Sequence, residues 1–363
     1  MTHKLFQPAQ LGELSLSNRV VMAPLTRSRA IGNTPNALMA TYYGQRSSAG
    51  LLIAEGTSPS PNGLGYARIP GIYSEAQIAG WKLVTDAVHR NGGKIFLQLM
   101  HTGRVSHAQN LPPGAEVLAP SAVRAAGEMY TDADGMQPFP VPRAMTTADI
   151  QQAIGEYAAA ASNAIAAGFD GIELHAANGY LIEQFIAANT NLRTDAYGGN
   201  IENRIRFAVE VAEAAVAAIG KDRVGMRLSP YGNFNDIQAS ADTDALYEAL
   251  ATKLNALGLV YVHLLDHSSM GAPEVKPSVI AKIHAAFKGK VIVCGGYTAE
   301  RAKQALESGE ADFVAFGRPL LANPDLVERL RGGAALNAPD MDTFYTAGEK
   351  GYTDYPFLQS VSV

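Results

Sequence analysis

Short apolar runs and longer amphipathic stretches alternate along almost the whole chain. The runs at 19–24 (RVVMAP), 50–56 (GLLIAEG), 94–100 (KIFLQLM), 171–174 (GIEL), 224–228 (VGMRL), 260–264 (VYVHL), 291–294 (VIVC) and 313–316 (FVAF) are too short for helices and predict buried strands. Helical periodicity fills most of the gaps, at 36–48, 74–91, 147–167, 202–219, 243–257, 278–287 and 299–308. Helix punctuation supports these bounds: Ser74 precedes Glu75, Gly92 and Gly93 follow the same stretch, and Thr146 stands three residues before Asp149. Residues 5–16 read as a hairpin with Gly12 near its turn. Residues 101–143 are rich in Pro and Gly, show little periodicity, and read as a long excursion over one end of the fold.

Eight strands with helices between them and no mid-chain linker predict an α/β protein, a single (β/α)8 TIM barrel over residues 1–363 with an N-terminal hairpin and a long insertion after strand 3. A barrel of this kind needs about 250 residues, which leaves roughly a hundred for the hairpin, the insertion and the tail. A doubly wound open sheet fits less well, because no G-x-G-x-x-G follows the first strand.

Composition narrows the partners. A chain with 47% hydrophobic and 17% charged residues can bury a large core, and a net charge of -5 with no long basic run gives no reason to expect nucleic acid or an anionic membrane. Small molecules are the expected partners. No apolar run approaches the roughly 20 residues of a membrane span, and a soluble, cytoplasmic protein is expected. The lone Cys294 rules out an intrachain disulfide and is expected to pack in its strand.

The loops after barrel strands build active sites, so the residues at strand exits matter most. With period two, Ile172 and Leu174 share one face while Glu173 and His175 share the other. Phe96, Gln98 and Met100 have the same parity, as do Gly225 and Arg227, so an imidazole, an amide and a guanidinium point toward one barrel mouth. Arg227 then needs an anion, a carbonyl-rich ring or a carboxylate, and Glu173 is the internal candidate. His175 by itself fits a satisfied core histidine equally well, but Asn178, Gly179 and Tyr180 follow it: an amide donor, a turn and a phenol that holds its proton at neutral pH. Gly295 and Gly296 after strand seven, with Gly317 and Arg318 after strand eight, fit the phosphate site that barrels form there. His263 and His267 lie four apart on a strand pattern, and only on a helix does that spacing bring two imidazoles to one metal, so no metal is read. His101 and His107 read as surface or packing residues. Tyr66, Tyr345, Tyr352 and Tyr355 are candidates to wall a pocket; Trp81, inside a helix, reads as core.

Six ordered segments give the chain a resemblance that covers nearly its full length: NRVVMAPLTR at 18–27, LQLMHTGR at 97–104, ELHAANGYLIEQF at 173–185, RTDAYGGNIENR at 193–204, FGRPLLANPDL at 316–326 and GYTDYP at 351–356. It resembles the old yellow enzyme family of flavoprotein ene-reductases. The resemblance implies a non-covalent FMN, with Pro24, Thr26, Gly56, Gln98 and Arg227 around its ring and Gly295, Gly296, Gly317 and Arg318 at its phosphate. It implies NADPH or NADH as reductant and ping-pong reduction of activated alkenes: unsaturated carbonyls, maleimides, nitroalkenes or nitrate esters. His175 and Asn178 would hold the substrate oxygen, Tyr180 would protonate carbon, and Tyr66, Met100 and Tyr345 would wall the substrate. Two positions depart from common members: Met100 stands where relatives often have tryptophan, and the donor pair is His/Asn rather than His/His. Thr26, where another branch has cysteine, points to the main branch. The rivals are a flavin-free barrel lyase or isomerase acting on a phosphorylated substrate, and a non-catalytic flavin-binding protein. Monomer and homodimer are both open.

Overall fold

The structure is a computed structural model that describes residues 3–358. Eight parallel strands, β1 (Val20–Met22), β2 (Leu51–Thr57), β3 (Ile95–Leu99), β4 (Gly171–Ala176), β5 (Val224–Leu228), β6 (Tyr261–Leu265), β7 (Lys290–Cys294) and β8 (Phe313–Phe316), close into a barrel in chain order, with β8 pairing back onto β1. Alternation decides what each strand buries. Ile172 and Leu174 face outward with Leu97, Leu99, Met226 and Leu228 into a core shared with the surrounding helices. Val21, Ile53, Phe96, Tyr261, Ile292 and Phe313 fill the interior. Among the described residues no helix is long and apolar enough to cross a membrane.

The helices start where their caps say. Ser74 and Gln77 exchange side-chain and backbone hydrogen bonds ahead of Glu75–Arg90, and Thr146 and Asp149 do the same ahead of Thr147–Ala166. The hairpin is Ala9–Leu11 paired with Leu14–Leu16, preceded by a short 3-10 turn, and its Leu11 and Leu16 join the interior cluster. It therefore plugs the amino-terminal end of the barrel and leaves the carboxyl ends of the strands for chemistry.

The insertion has more order than its composition predicts. Glu128–Thr131 and Gly135–Pro138 form an antiparallel hairpin, and Met129 and Thr131 are buried while Glu128 and Tyr130 are exposed. Met129, Phe139, Val105 and Ala125 pack with Met100 and Tyr180, so the insertion forms a wall behind the barrel mouth. The tail is held differently. Arg27, Arg29 and Arg46, all buried, donate to main-chain oxygens of Thr343, Phe344, Gly348, Lys350, Gly351 and Tyr352. Tyr352 stacks on Tyr42 with ring centroids 4.0 Å apart, and the Arg46 guanidinium lies 3.8 Å from the Tyr42 ring centre. Tyr352 is thus wholly buried in the tail's anchorage and does not wall a pocket, contrary to expectation.

Candidate active site

A cavity of about 580 Å³ opens at the carboxyl ends of the strands, a size suited to a cofactor or drug-sized ligand. Pro24, Thr26, Gln98, Met100, His175, Asn178, Tyr180, Arg227, Gly295, Gly296, Gly317, Arg318 and Tyr345 all line it. Gly56 and Tyr66 stand one layer back. A Cβ at Gly56 would lie 2.6 Å from the Met100 sulfur, so this glycine makes room for the Met100 side chain. The Tyr66 hydroxyl lies 3.0 Å from the Tyr180 hydroxyl. Tyr355 packs against Leu321, Ala322 and Phe344 and does not itself line the cavity. Trp81 is core, with its indole N–H donating to the Gly71 carbonyl.

On one wall, strand and turn converge. His175 ends the inward face of β4, and its Nδ1 accepts from the Ala177 N–H at 3.3 Å, which leaves the proton on Nε2 as a donor to the cavity. Asn178 Nδ2 lies 3.5 Å from that nitrogen. Asn178 adopts the left-handed backbone region, φ 61, which asparagine tolerates better than most residues. Its neighbours hold it there: its N–H donates to Ser229 Oγ, its carbonyl accepts from Asn235, and the next N–H, of Gly179, donates to Glu183 at 2.6 Å. Ser229 in turn donates to Glu183 at 2.7 Å. Tyr180 follows as the cap of a short helix, Leu181–Ile186, with its ring 4.9 Å from the His175 ring.

Burial governs the protonation of this wall. It lowers His175 well below its ordinary value, with the Arg227 charge adding to the effect, so the imidazole is neutral. It raises Tyr180 well above the usual value for a phenol, with Tyr66 adding to it, so the hydroxyl keeps its proton. A neutral donor pair and a protonated phenol can hold a polarised oxygen and deliver one proton.

The floor carries the charge. Arg227 is 5% exposed, makes no ion pair among the described residues, donates through Nη2 only to the Cys294 sulfur at 3.6 Å, and leaves its buried Nε without a partner. The alternative, an internal pairing with Glu173, does not form. Glu173 instead takes the His263 imidazole at 2.8 Å and the Tyr261 hydroxyl at 3.1 Å, two strands away on β6. Gly225 explains the reach. It lies between Glu173 and Tyr261 in register, and a Cβ there would sit 2.3 Å from the Tyr261 ring. A buried, unpaired guanidinium facing a cavity is costly unless a ligand with acceptor atoms meets it, and the edge of a flavin ring supplies such atoms.

The far side fits a phosphate. Gly295 and Gly296 have φ 131 and 64, and a Cβ at Gly295 would lie 2.2 Å from the Asp266 carbonyl oxygen, so only glycine fits. At Gly317 the nearest atom to a Cβ is 3.6 Å away. No atom of the protein crowds a Cβ there, whereas a ligand approaching the backbone would. The exposed Arg318 guanidinium donates to the Met270 thioether, a weak acceptor that an anion would displace. The residues present therefore fit FMN.

Sequence reasoning missed several lining residues. Cys294, expected only to pack, lines the cavity beneath Arg227, and His267, Met270 and Phe344 line it as well. His267 follows the exit of β6, the one strand exit to which no role was given. Its position alone would have marked it.

The comparisons with known proteins agree with this geometry. The model of the NADH:flavin oxidoreductase / NADH oxidase family matches residues 4–337. The solved structure of morphinone reductase superposes with a TM-score of 0.95 at 48% identity, covering 99% of this chain and 97% of that one. That of an old yellow enzyme homologue from Zymomonas mobilis gives 0.94 at 42% identity, covering 98% and 99%. A protein of Leishmania infantum described as a probable flavin mononucleotide-dependent alkene reductase is 44% identical, covering 98% of this chain and 97% of that one. The family match and the flavin-fitting cavity set aside the flavin-free lyase and the passive flavin carrier: the chain belongs to the NADH:flavin oxidoreductase / NADH oxidase family, the old yellow enzymes, and is an FMN-dependent reductase of activated alkenes driven by NAD(P)H.

Proposed function

We propose that Tyr180 is the acid of this reaction and that His175 and Asn178 are its oxygen-binding pair. The observation that carries the reading is their placement together on one wall of a cavity whose floor holds the unpaired Arg227. FMN, when bound there, would supply hydride-transfer chemistry between NAD(P)H and the activated alkene. Pro24, Thr26, Gln98 and Arg227 hold its ring, Gly295, Gly296, Gly317 and Arg318 its phosphate, and Gly56 acts indirectly by seating Met100. His175 Nε2 and Asn178 Nδ2 donate to the carbonyl or nitro oxygen of the substrate. Both bonds strengthen as that oxygen gains negative charge, so they lower the barrier more than they tighten ground-state binding. Tyr180 gives its proton to the carbon beside the activating group and is reprotonated from solvent. Met100 and Tyr345 bound the space for the rest of the substrate, and Tyr66 sets the Tyr180 hydroxyl.

The reductant and the alkene take turns in one cavity. This reading also places the protein in the cytoplasm beside the NAD(P)H pool. Tyr180→Phe tests it: FMN reduction by NADPH should keep its rate, while reduction of cyclohexenone falls by about 10²-fold or more and that of a nitroalkene falls less. Equal loss in both half-reactions would remove Tyr180 from the acid role.

A further inference from the structure

We infer that Glu173 is a positioning residue for the flavin, acting through Gln98, whose amide it turns so that Oε1 faces the cavity. The inference rests on the FMN reading of the site and adds to it a residue that does not line the cavity.

Gln98 lines the cavity floor, is 2% exposed, and donates from Nε2 to Glu173 Oε1 at 2.8 Å. An ionised carboxylate only accepts, so it binds the nitrogen end of the amide and leaves the oxygen end for the other side. Glu173 is itself wholly buried and fixed from behind by the Tyr261 hydroxyl and His263 Nδ1, over the gap left by Gly225. Burial opposes its charge, but His263, Arg227 and the Gln98 bond outweigh that and hold the carboxyl below its ordinary value. The partner His263 is correspondingly raised by Glu173 against the opposing effect of burial. The carboxylate therefore stays ionised across neutral pH and cannot act as a donor that would let the amide reverse.

The consequence is a floor of mixed polarity. Gln98 on β3 pairs in register with Glu173, and Arg227 on β5 pairs with His175. An acceptor and a guanidinium thus flank β4. The imide edge of an isoalloxazine ring, an N–H between two carbonyl oxygens, needs both. With the amide reversed, Gln98 would present a second donor next to a cation, and the N–H of the ring would lose its partner.

A double-mutant cycle read by FMN release tests this. The dissociation constant is measured from the fluorescence of FMN freed on diluting each holoenzyme. Glu173→Met should raise it about tenfold, as should Gln98→Leu, and the double variant should be no weaker than either single one, because both remove the same interaction. Glu173→Gln should stay within about twofold of the parent, since its amide oxygen can still accept from Gln98 while its nitrogen faces His263. Effects that multiply in the double variant would assign Glu173 to barrel stability alone. A glutamine variant as weak as the methionine one would show that charge, not amide orientation, is what matters. If the methionine variant does not fold, the same cycle with Glu173→Asp applies, which keeps the charge and draws the acceptor back by one methylene. A parent protein that carries no FMN would overturn the cofactor reading itself, a distinct result.

Discussion

In the proposed mechanism, two side chains with opposite pKa shifts set the working range of this enzyme. His175 is held neutral by a lowered pKa and Tyr180 protonated by a raised one, in both cases chiefly by burial. The active forms are the neutral imidazole, present above its lowered value, and the phenol, present below its raised one. Neither titrates between pH 7 and 9.5, so the rate at which an enone reoxidises the enzyme, followed by stopped flow, should be flat there. A decline centred below pH 9 would mean that the phenol ionises in that range. At Met100 the issue is volume. Its sulfur fills the space above Gly56, and an indole at position 100 must extend into the cavity. Met100→Trp should raise KM about tenfold for ring-substituted enones and leave small maleimides unaffected, as steady-state assays over a size series would reveal.

At the level of elements, the turn after β4 depends on a buried carboxyl. Glu183, under the Asn178–Gly179 turn, is raised to about 7 by burial, against hydrogen bonds from Gly179, Ser229 and Tyr247, and Glu55 is raised to about 7 in the same way against its bond from Tyr43. Raised carboxyls favour the folded state while protonated. Their contribution is complete below the unfolded value near 4.5 and is lost as pH rises through about 7. The melting temperature should therefore fall between pH 5 and 8, and Glu183→Gln should make the slope shallower; scanning calorimetry across that range decides it.

The elements also show what the sequence made legible. The strands, the Ser74 cap and the Thr146–Asp149 capping box follow from periodicity and local chemistry, and His175, Asn178 and Tyr180 could be placed because one strand and one turn carry all three. The partner of Glu173 could not. It lies two strands away, and the contact depends on Gly225 having no side chain, a fact of barrel geometry rather than of sequence neighbours. The insertion hid its hairpin because Pro and Gly dominate its composition, although Met129 and Thr131 already alternate with exposed neighbours.

For the molecule as a whole, the barrel interior is closed below by the hairpin, walled on one side by the insertion and rimmed on another by the tail. The rim depends on the buried arginines. Arg29 alone donates to the carbonyl oxygens of Thr343, Phe344, Gly348 and Lys350, and Arg29→Ala should lower stability by at least about 2 kcal/mol in urea melts while raising KM for alkenes more than for NADPH. Loss of stability with no change in either KM would separate the tail from the substrate end of the cavity.

Because those arginines grip peptide oxygens, the course of the tail is set largely by its backbone, with the buried rings of Phe344 and Tyr352 as its side-chain anchors. Tyr345, which is exposed and looks into the cavity from that tail, can then be exchanged without unfastening it. The molecule has a replaceable edge on a fixed mount, and new substrate preferences can evolve there while the hydride and proton chemistry below stays as it is.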